Sequence, residues 1–343
     1  MIDCSKEISK FCSKEVCLNE SQRKQMRVHR DANRAKLRAG LAKDEREPPK
    51  YHITQGSYAM HTMVQHPKND YDIDDGAVFT RDQLRGPKGG DMSPRGARDM
   101  VCRAVSDDRL NTPPEVLKNC VRVYYNEKYH VDIPVYREYE DDEGNMVLEF
   151  ASSVWGKSDP RELTRWYNGS VIENSPDTTN GRQMRRVTCL SKAFSRSRGK
   201  WKMPSGLIQS VLIDEKYQPT DARDDEALFD TMQAIYSRLV LQGRQVHNPT
   251  DSEEELTKGS DDPKMVEFED RLEWAIGKLR PVKDETCTYT EAIKLWKEVF
   301  GGHAFFDQFI KEEEEKKKEA ATKAAASVAA ASVAASAPRN WGC

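Results

Sequence analysis

Residues 70–80 read Asp-Tyr-Asp-Ile-Asp-Asp-Gly-Ala-Val-Phe-Thr. Asp72 and Asp74 stand two apart, with Ile73 between them. On a strand, side chains at i and i+2 share a face, so the two carboxylates lie side by side while Ile73 points the other way. Like charges at that spacing repel unless a cation lies between them. The stretch therefore predicts a strand with two unlike faces, one buried through Ile73 and one turned to a cation. Asp70 and Asp72 offer a rival register at the same spacing. Asp72 with Asp74 is preferred because Ile73 suits a buried position better than Tyr71 does. Asp75 faces away from the pair, and both Asp70 and Asp75 are expected outside the site.

Such a strand needs a core on its apolar side, and 343 residues are ample for one large domain or two. The net charge of −3 points to no nucleic-acid or membrane partner for the whole molecule. No run of eighteen apolar residues occurs, so no membrane span is predicted. The N-terminus, MIDCSKEISKFCSKEVC, has no apolar signal segment, and a cytoplasmic location is expected. Eight cysteines are scattered without a Cys-x-x-Cys, and no histidine pairs with one at zinc-ligand spacing. Reduced thiols are the expectation.

Residues 1–20 predict a short helical segment with Ile8, Phe11 and Cys12 on one face. Ser21 is the expected N-cap of a long basic helix from Gln22 to Lys43. Its thin apolar face runs through Met26, Ala32, Ala35, Leu37 and Leu41. A helix of this kind binds nucleic acid or packs along the body with a solvated side, and packing is preferred. Residues 50–150 predict an α/β region. It holds a strand over 51–54, a turn at Gly56-Ser57, a helix over 58–64, a turn over 65–69 and a strand over 70–79 that Asp75-Gly76 interrupts. A loop over 81–95, a helix over 96–106 and a hairpin joining 121–125 to 130–136 through Asn126-Glu127-Lys128 follow. A strand over 146–152 closes the region. From Ser158 the pattern is helical, with helices expected over 181–197, 204–216, 224–242, 253–256, 264–279 and 289–300. The end of the chain, four Glu and three Lys followed by an Ala/Ser run, can be helical near 311–325 but offers no large apolar face. Residues 320–343 are expected to be flexible.

Three elements converge on one chemistry. Gly56 at a strand-to-helix turn lets phosphate oxygens approach the backbone, and Ser57 adds a hydroxyl donor. Asp72 and Asp74 supply paired carboxylates. Asp132 stands alone in His130-Val-Asp-Ile-Pro-Val135, where a carboxylate is out of place unless paired or bound to a metal. Val131, Ile133 and Val135 take one face, which puts Asp132 on the other with His130. Mg²⁺ fits, being a hard ion bound by carboxylates and substrate phosphates. Three carboxylates suit two such ions, one activating an attacking hydroxyl and one stabilising the leaving oxygen, and Mn²⁺ can substitute.

Gly56-Ser57, Asp72-Ile-Asp-Asp-Gly76 and Val131-Asp-Ile-Pro-Val135 together resemble the cGAS/DncV-like nucleotidyltransferases of bacterial CBASS anti-phage systems. These are similar to oligoadenylate synthases within the polymerase-β-like superfamily. Arg185-Arg-Val-Thr-Cys-Leu-Ser-Lys-Ala-Phe194 resembles the family's basic helix, and Pro204-Ser205-Gly206 the helix start after it. Asn248-Pro249 and Trp296-x-x-x-Phe300-Gly301 are also similar. The resemblance spans residues 20–310.

What it implies is an α+β fold: a polymerase-β-like nucleotidyltransferase core (mixed sheet with helices) joined to a mainly α-helical lobe, with the long N-terminal helix as a spine. The expected divisions are an N-terminal helical segment over 1–20, spine and core over 21–155, the helical lobe over 156–310 and a flexible tail over 311–343. The implied activity is synthesis of a cyclic di- or trinucleotide second messenger from ATP with GTP or another NTP. A ribose hydroxyl of one NTP attacks the α-phosphate of another, pyrophosphate leaves, and a second transfer closes the ring. Asp132 would polarise the hydroxyl, while Asp72 and Asp74 hold both metals. Gln55, Gly56, Ser57, Lys192, Ser205 and Arg182, or Arg185 in its place, would bind nucleotide. The zinc-binding insertion of the DNA-sensing animal members is missing, so activation by double-stranded DNA is not expected. In some bacterial systems an E1/E2-like partner conjugates the enzyme's C-terminus, and a tail ending Trp341-Gly342-Cys343 is compatible with that or with a plain disordered terminus. The competing classes are a nucleotidyltransferase acting on RNA ends or a small-molecule acceptor, and an inactive NTP-binding scaffold. A scaffold would be expected to have lost one of the three carboxylates.

Overall fold

The computed structural model describes residues 1–65, 71–86, 88–107, 110–125 and 129–335. Residues 66–69 of the turn expected over 65–69, Asp70, the hairpin turn at 126–128 and the chain end at 336–343 lie outside them. Helix α1 (Ser5–Phe11) runs into a π turn over Cys12–Val16, and α2 (Glu20–Lys43) follows. The cap of α2 is Asn19 rather than Ser21. Asn19 Oδ1 accepts from the Gln22 N–H while Gln22 Oε1 accepts from the Asn19 N–H, which satisfies two end groups at once. The helix buries Met26, Asn33, Leu37 and Leu41, while Ala32 and Ala35 are exposed. Three of its arginines are used within the protein. Arg23 lies 4.3 Å over the Tyr58 ring, Arg27 reaches the Tyr58 hydroxyl, and Arg34 forks onto Asp75.

Strand β1 (Tyr51–Gln55) leads into a single helical turn, α3 (Gly56–Ala59). The helix expected over 58–64 stops there. Met63 inserts into the core under the sheet while Met60 and Val64 insert into the core of the helical lobe, and one helix face cannot serve both. Strand β2 (Tyr71–Thr80) then runs unbroken through Asp75-Gly76, because neighbours flank it on both sides. Helix α4 (Pro94–Val105) packs below the sheet. The remaining strands are β3 (Glu115–Val116), β4 (Val121–Tyr124), β5 (Tyr129–Ile133), β6 (Val135–Glu140), β7 (Met146–Ala151) and β8 (Trp155–Lys157).

β1 lies antiparallel to β2, whereas β5 and β6 lie parallel to it in one register, with Asp74 opposite Asp132 and Ala77 opposite Val135. They are halves of one strand, parted at Pro134, which has no N–H to give. The Pro134 carbonyl still accepts from Ala77 N at 2.8 Å. β4 pairs with β5 and β7 with β6, both antiparallel. Ile73, Ala77, Val131, Ile133 and Val135 all enter the core shared with α2 and α4, as the alternation requires.

The second lobe is helical: α5 (Pro160–Asn174), α6 (Gln183–Arg196), α7 (Gly206–Lys216), α8 (Asp224–Gln242), α9 (Pro263–Leu279) and α10 (Tyr289–Val299). The short helix expected at 253–256 is a strand, β10 (Asp251–Glu255), paired with β9 (His247–Asn248). A four-residue run of mostly like charges is too short to nucleate a helix. The N-terminal segment is part of this lobe: Ile8, Phe11 and Cys12 enter its core, and Phe11 lies 4.7 Å from Phe300 and 4.9 Å from Phe306. Helix α11 (Asp307–Ala335) extends through much of the tail expected to be flexible. Alanines and Glu/Lys pairs at helical spacing favour that state without a buried face. Among the described residues no helix is long and apolar enough to cross a membrane.

Candidate active site

Between the sheet and the helical lobe lies a cleft of about 290 Å³. Gln55, Gly56, Ser57, Asp72 and Asp74 line its floor, and Leu163, Lys192, Arg196, Gly206 and Ser210 face them from α5, α6 and α7. The parallel register sets Asp72 beside His130 and Asp74 beside Asp132, so four polar side chains share the face opposite the core. His130 Nε2 is 3.8 Å from both Asp72 Oδ2 and Asp132 Oδ1. The ring is buried, and neither nitrogen makes a hydrogen bond. Ligand atoms of Asp72, His130 and Asp132 lie within 4.8 Å of one another, close enough for one metal ion. Asp132 is itself buried, and both its oxygens accept from Arg122 of β4, at 2.8 and 2.7 Å.

These carboxyls do not behave alike. Burial, then the charges of Asp72 and Asp132, hold the Asp74 pKa well above the ordinary carboxylate range. Burial acts on Asp72 in the same direction, but the His130 contact and the Arg122 charge outweigh it and leave its pKa lowered. Clustered carboxylates under mutual repulsion, presenting hard oxygen donors, fit a divalent cation.

The Gly-Ser turn is tied to this floor. Gly56 has φ +65°, and a Cβ on it would stand 2.3 Å from Asp74 Oδ2, so only glycine brings the turn this close. Gln55 Oε1 accepts from the Tyr136 hydroxyl at 3.0 Å, which fixes it at the cleft edge. Asp75 lies on the other face as expected. It is 3% exposed and takes Arg34 at 2.7 and 2.5 Å and Thr54 at 3.0 Å, so it anchors the spine helix.

Across the cleft, Lys192 Nζ donates to Thr62 Oγ1 at 2.8 Å, and burial lowers its pKa to about 8. Arg196 follows one helical turn later. Ser205 caps α7 by accepting from Ile208 N at 3.3 Å and lines an adjoining cavity rather than the cleft. Arg182 is not brought to the cleft. It sits in the turn before α6 with φ +70° and donates to the Asp177 carbonyl. Arg185 is likewise held, by the Met60 and Gly181 carbonyls and by Asn168. His130 lies beside Asp132 on the face that the alternation assigns to both, and Arg122, Arg196 and Thr62 join the expected residues around the site. His130 lies two residues before Asp132, Arg196 four after Lys192, and Arg122 follows from the hairpin register; Thr62 carries no sequence signal.

Fold and cleft together define a nucleotidyltransferase of the polymerase-β type. Residues 49–136, which carry the Gly-Ser turn and all three aspartates, match the family described as cyclic GMP-AMP synthase DncV-like, nucleotidyltransferase domain. Over those residues the chain is similar to the cGAS/DncV-like nucleotidyltransferases. Among solved structures it is similar to Vibrio cholerae DncV cyclic AMP-GMP synthase in complex with the linear intermediate 5′ pppA(3′,5′)pG. That match has 18% identity and a TM-score of 0.67, and covers 87% of this chain and 96% of that one. The same enzyme with nonhydrolyzable GTP matches at 18% identity and a TM-score of 0.65, covering 86% and 95%. The 3′-deoxy GTP bound form of Escherichia coli DncV matches at 17% identity and 0.65, covering 86% and 96%. At these identities the likeness is one of fold.

Proposed function

We propose that this protein joins NTPs into a cyclic oligonucleotide second messenger, with a cyclic dinucleotide containing purines as the product. The observation that carries the reading is the shared register that sets Asp74 beside Asp132 on the face where Asp72 also lies, with Lys192 across the cleft. Asp72, Asp74 and Asp132 would hold two Mg²⁺ ions, for which Mn²⁺ can substitute. Bound there, such ions supply positive charge to the reacting phosphates and acidify the attacking hydroxyl. Asp132 takes the hydroxyl proton. Ser57 and Lys192 hold the donor triphosphate, with Gln55 and Gly56 shaping the floor beneath it and Ser205 at its far end. The apolar wall, Met63, Leu163 and Leu207, limits water around the reacting atoms. Catalysis is mainly positioning and charge stabilisation.

ATP and GTP are the proposed substrates. They are bound together in a structure of a Vibrio cholerae DncV mutant, and a linear intermediate is bound in another structure of that enzyme. We place the activity in cytoplasmic anti-phage defence, with residues 336–343 as the substrate of an E1/E2-like conjugating partner. The test is incubation of purified protein with Mg²⁺ and each α-³²P-labelled NTP in turn, followed by phosphatase. Label retained in a short phosphatase-resistant product is the expected result. Label appearing only on added RNA ends or a small-molecule acceptor contradicts it.

A further inference from the structure

Three thiols meet where the N-terminal segment, the cleft wall and α6 join. Cys12 opens the π turn and Cys17 follows its last residue, with Cys17 N donating to the Cys12 carbonyl at 2.7 Å. Their Sγ atoms lie 3.3 Å apart, and both thiols are free. Cys17 also contacts the Cys189 thiol of α6. Cys12 and Cys189 are each 1% exposed, whereas Cys17 is half-buried, so a soluble oxidant reaches Cys17 first. The Cys12 thiol, more than burial, pushes the Cys17 pKa up. Cys17 is therefore protonated at neutral pH and reacts slowly, which suits a site that answers to sustained oxidant rather than to traces. The same residues hold the cleft wall. Cys17 bridges Val64 in antiparallel fashion, the Val16 carbonyl accepts from Gln65 N at 2.7 Å, and the Cys17 carbonyl accepts from Gln65 Nε2 at 2.7 Å. Cys189 Sγ donates to the His61 carbonyl at 3.9 Å. Between His61 and Gln65 lie Thr62, which takes Lys192, and Val64, whose carbonyl takes Arg196.

We propose that Cys12 and Cys17 form a reversible dithiol–disulfide site, entered by oxidant through Cys17, whose closure loosens the cleft wall over residues 62–65. With a hydroperoxide as oxidant, the Cys17 sulfur attacks one peroxide oxygen and the O–O bond breaks. The other oxygen leaves with the thiol proton, as an alcohol or as water, and Cys17 becomes a sulfenic acid. The Cys12 sulfur then attacks the Cys17 sulfur, the S–O bond breaks, and the hydroxide leaves as water with the Cys12 proton. The two thiols together lose two electrons, which the peroxide gains. A thiol reductant reverses the bond by exchange. Cys12 is the partner because it shares one turn with Cys17, whereas bonding to Cys189 must draw that turn and α6 together within a packed core. Bonded sulfurs stand about 2 Å apart, so the present contact must shorten. Cys12 is fixed in the core of the helical lobe, so Cys17 moves, and its backbone shifts against Val64 and Gln65.

The test is peptide mapping of the full chain after hydrogen peroxide treatment under native conditions, with remaining thiols alkylated in denaturant. Trypsin cuts after Lys10, Lys14 and Arg23, so Cys12 and Cys17 fall in separate peptides, 11–14 and 15–23. The expected result is these two peptides joined by a disulfide that dithiothreitol releases, in wild type and in Cys189→Ser alike. Deuterium exchange over residues 57–65 should be faster in the oxidised protein, by about five- to tenfold at Gln65, whose N–H loses its bond to Val16. Cys17→Ser given the same treatment should show no such change. A 15–23 peptide that is only alkylated, is joined to the Cys189 peptide 187–192, or carries a sulfinic acid overturns the dithiol. Unchanged exchange in the disulfide-linked protein overturns its hold on the cleft wall. The nucleotidyltransferase reading stands apart from these results, since the inference does not use it.

Discussion

Arg122 and Asp132 face each other across the antiparallel register of β4 and β5 and close a two-pronged ion pair at 2.8 and 2.7 Å. The third carboxylate of the site is thus held by an arginine, which balances its charge and fixes its direction. Removing one partner of a buried pair leaves the other uncompensated. Arg122→Gln should destabilise the metal-free protein by about 2–3 kcal/mol, below what a fully buried pair costs because Arg122 is partly exposed. Mn²⁺ should then restore more of the Tm in this variant than it adds to the wild type, since Asp132 has lost its competing cation. Thermal unfolding with and without Mn²⁺ checks both effects.

Asp74 makes the opposite prediction for stability. Burial and two neighbouring carboxylates raise its pKa in the folded state. Between the ordinary carboxylate value and the raised one, the folded state binds more protons than the unfolded state, so stability falls as pH rises through that window. Asp74→Asn removes the penalty. At pH 7 and without metal, its Tm should equal or exceed the wild-type value, and Mg²⁺ should no longer raise it. Product formation should fall by about a thousandfold.

Asp75 lies one residue away and behaves differently, because it meets Arg34 and Thr54 on the far face of the strand. Asp75→Asn should cost about 2 kcal/mol in unfolding free energy, the worth of hydrogen bonds to a charged group. Its kcat should remain far closer to wild type than that of Asp74→Asn. Denaturant titration alongside steady-state kinetics separates the two effects.

If Lys192 holds the triphosphate as proposed, it sets a pH limit on nucleotide binding. Burial lowers its pKa to about 8, and a triphosphate favours the charged form. Calorimetric affinity for a nonhydrolysable NTP should therefore be level below pH 8 and fall above it by up to about tenfold per unit. Lys192→Met should be weak throughout and lose that step. Stability of the ligand-free protein runs the other way. Between about 8 and the ordinary lysine value the unfolded state binds more protons, so stability rises with pH there.

The chemistry was legible in the sequence where it followed strand periodicity. Ile73, Val131, Ile133 and Val135 alternate with the carboxylates, and that alternation fixes which side chains reach the cleft. Helical spacing would also have offered Arg196 once Lys192 was chosen. What escaped the sequence depended on tertiary competition. Met60, Met63 and Val64 divide between two cores and cut a helix to one turn. A positive φ at Arg182 and its bond to the Asp177 carbonyl remove it from the basic set near the cleft. Asn19 displaced Ser21 because Gln22 could return its bond. The N-terminal helix showed an apolar face in its sequence, but nothing in the sequence named the helical lobe as the surface it covers.

If the three aspartates serve two successive transfers that end in a ring, the mass of the product shows it. Purified protein with Mg²⁺, ATP and GTP, resolved by liquid chromatography and mass spectrometry, should yield a species with two nucleotide units and no 5′-phosphate. Two pyrophosphates should be released per product, and none should appear with the Asp72→Asn/Asp74→Asn variant. Products that keep a 5′-triphosphate, lengthen beyond a few nucleotides or persist in that double variant would rule out cyclic dinucleotide synthesis at these aspartates.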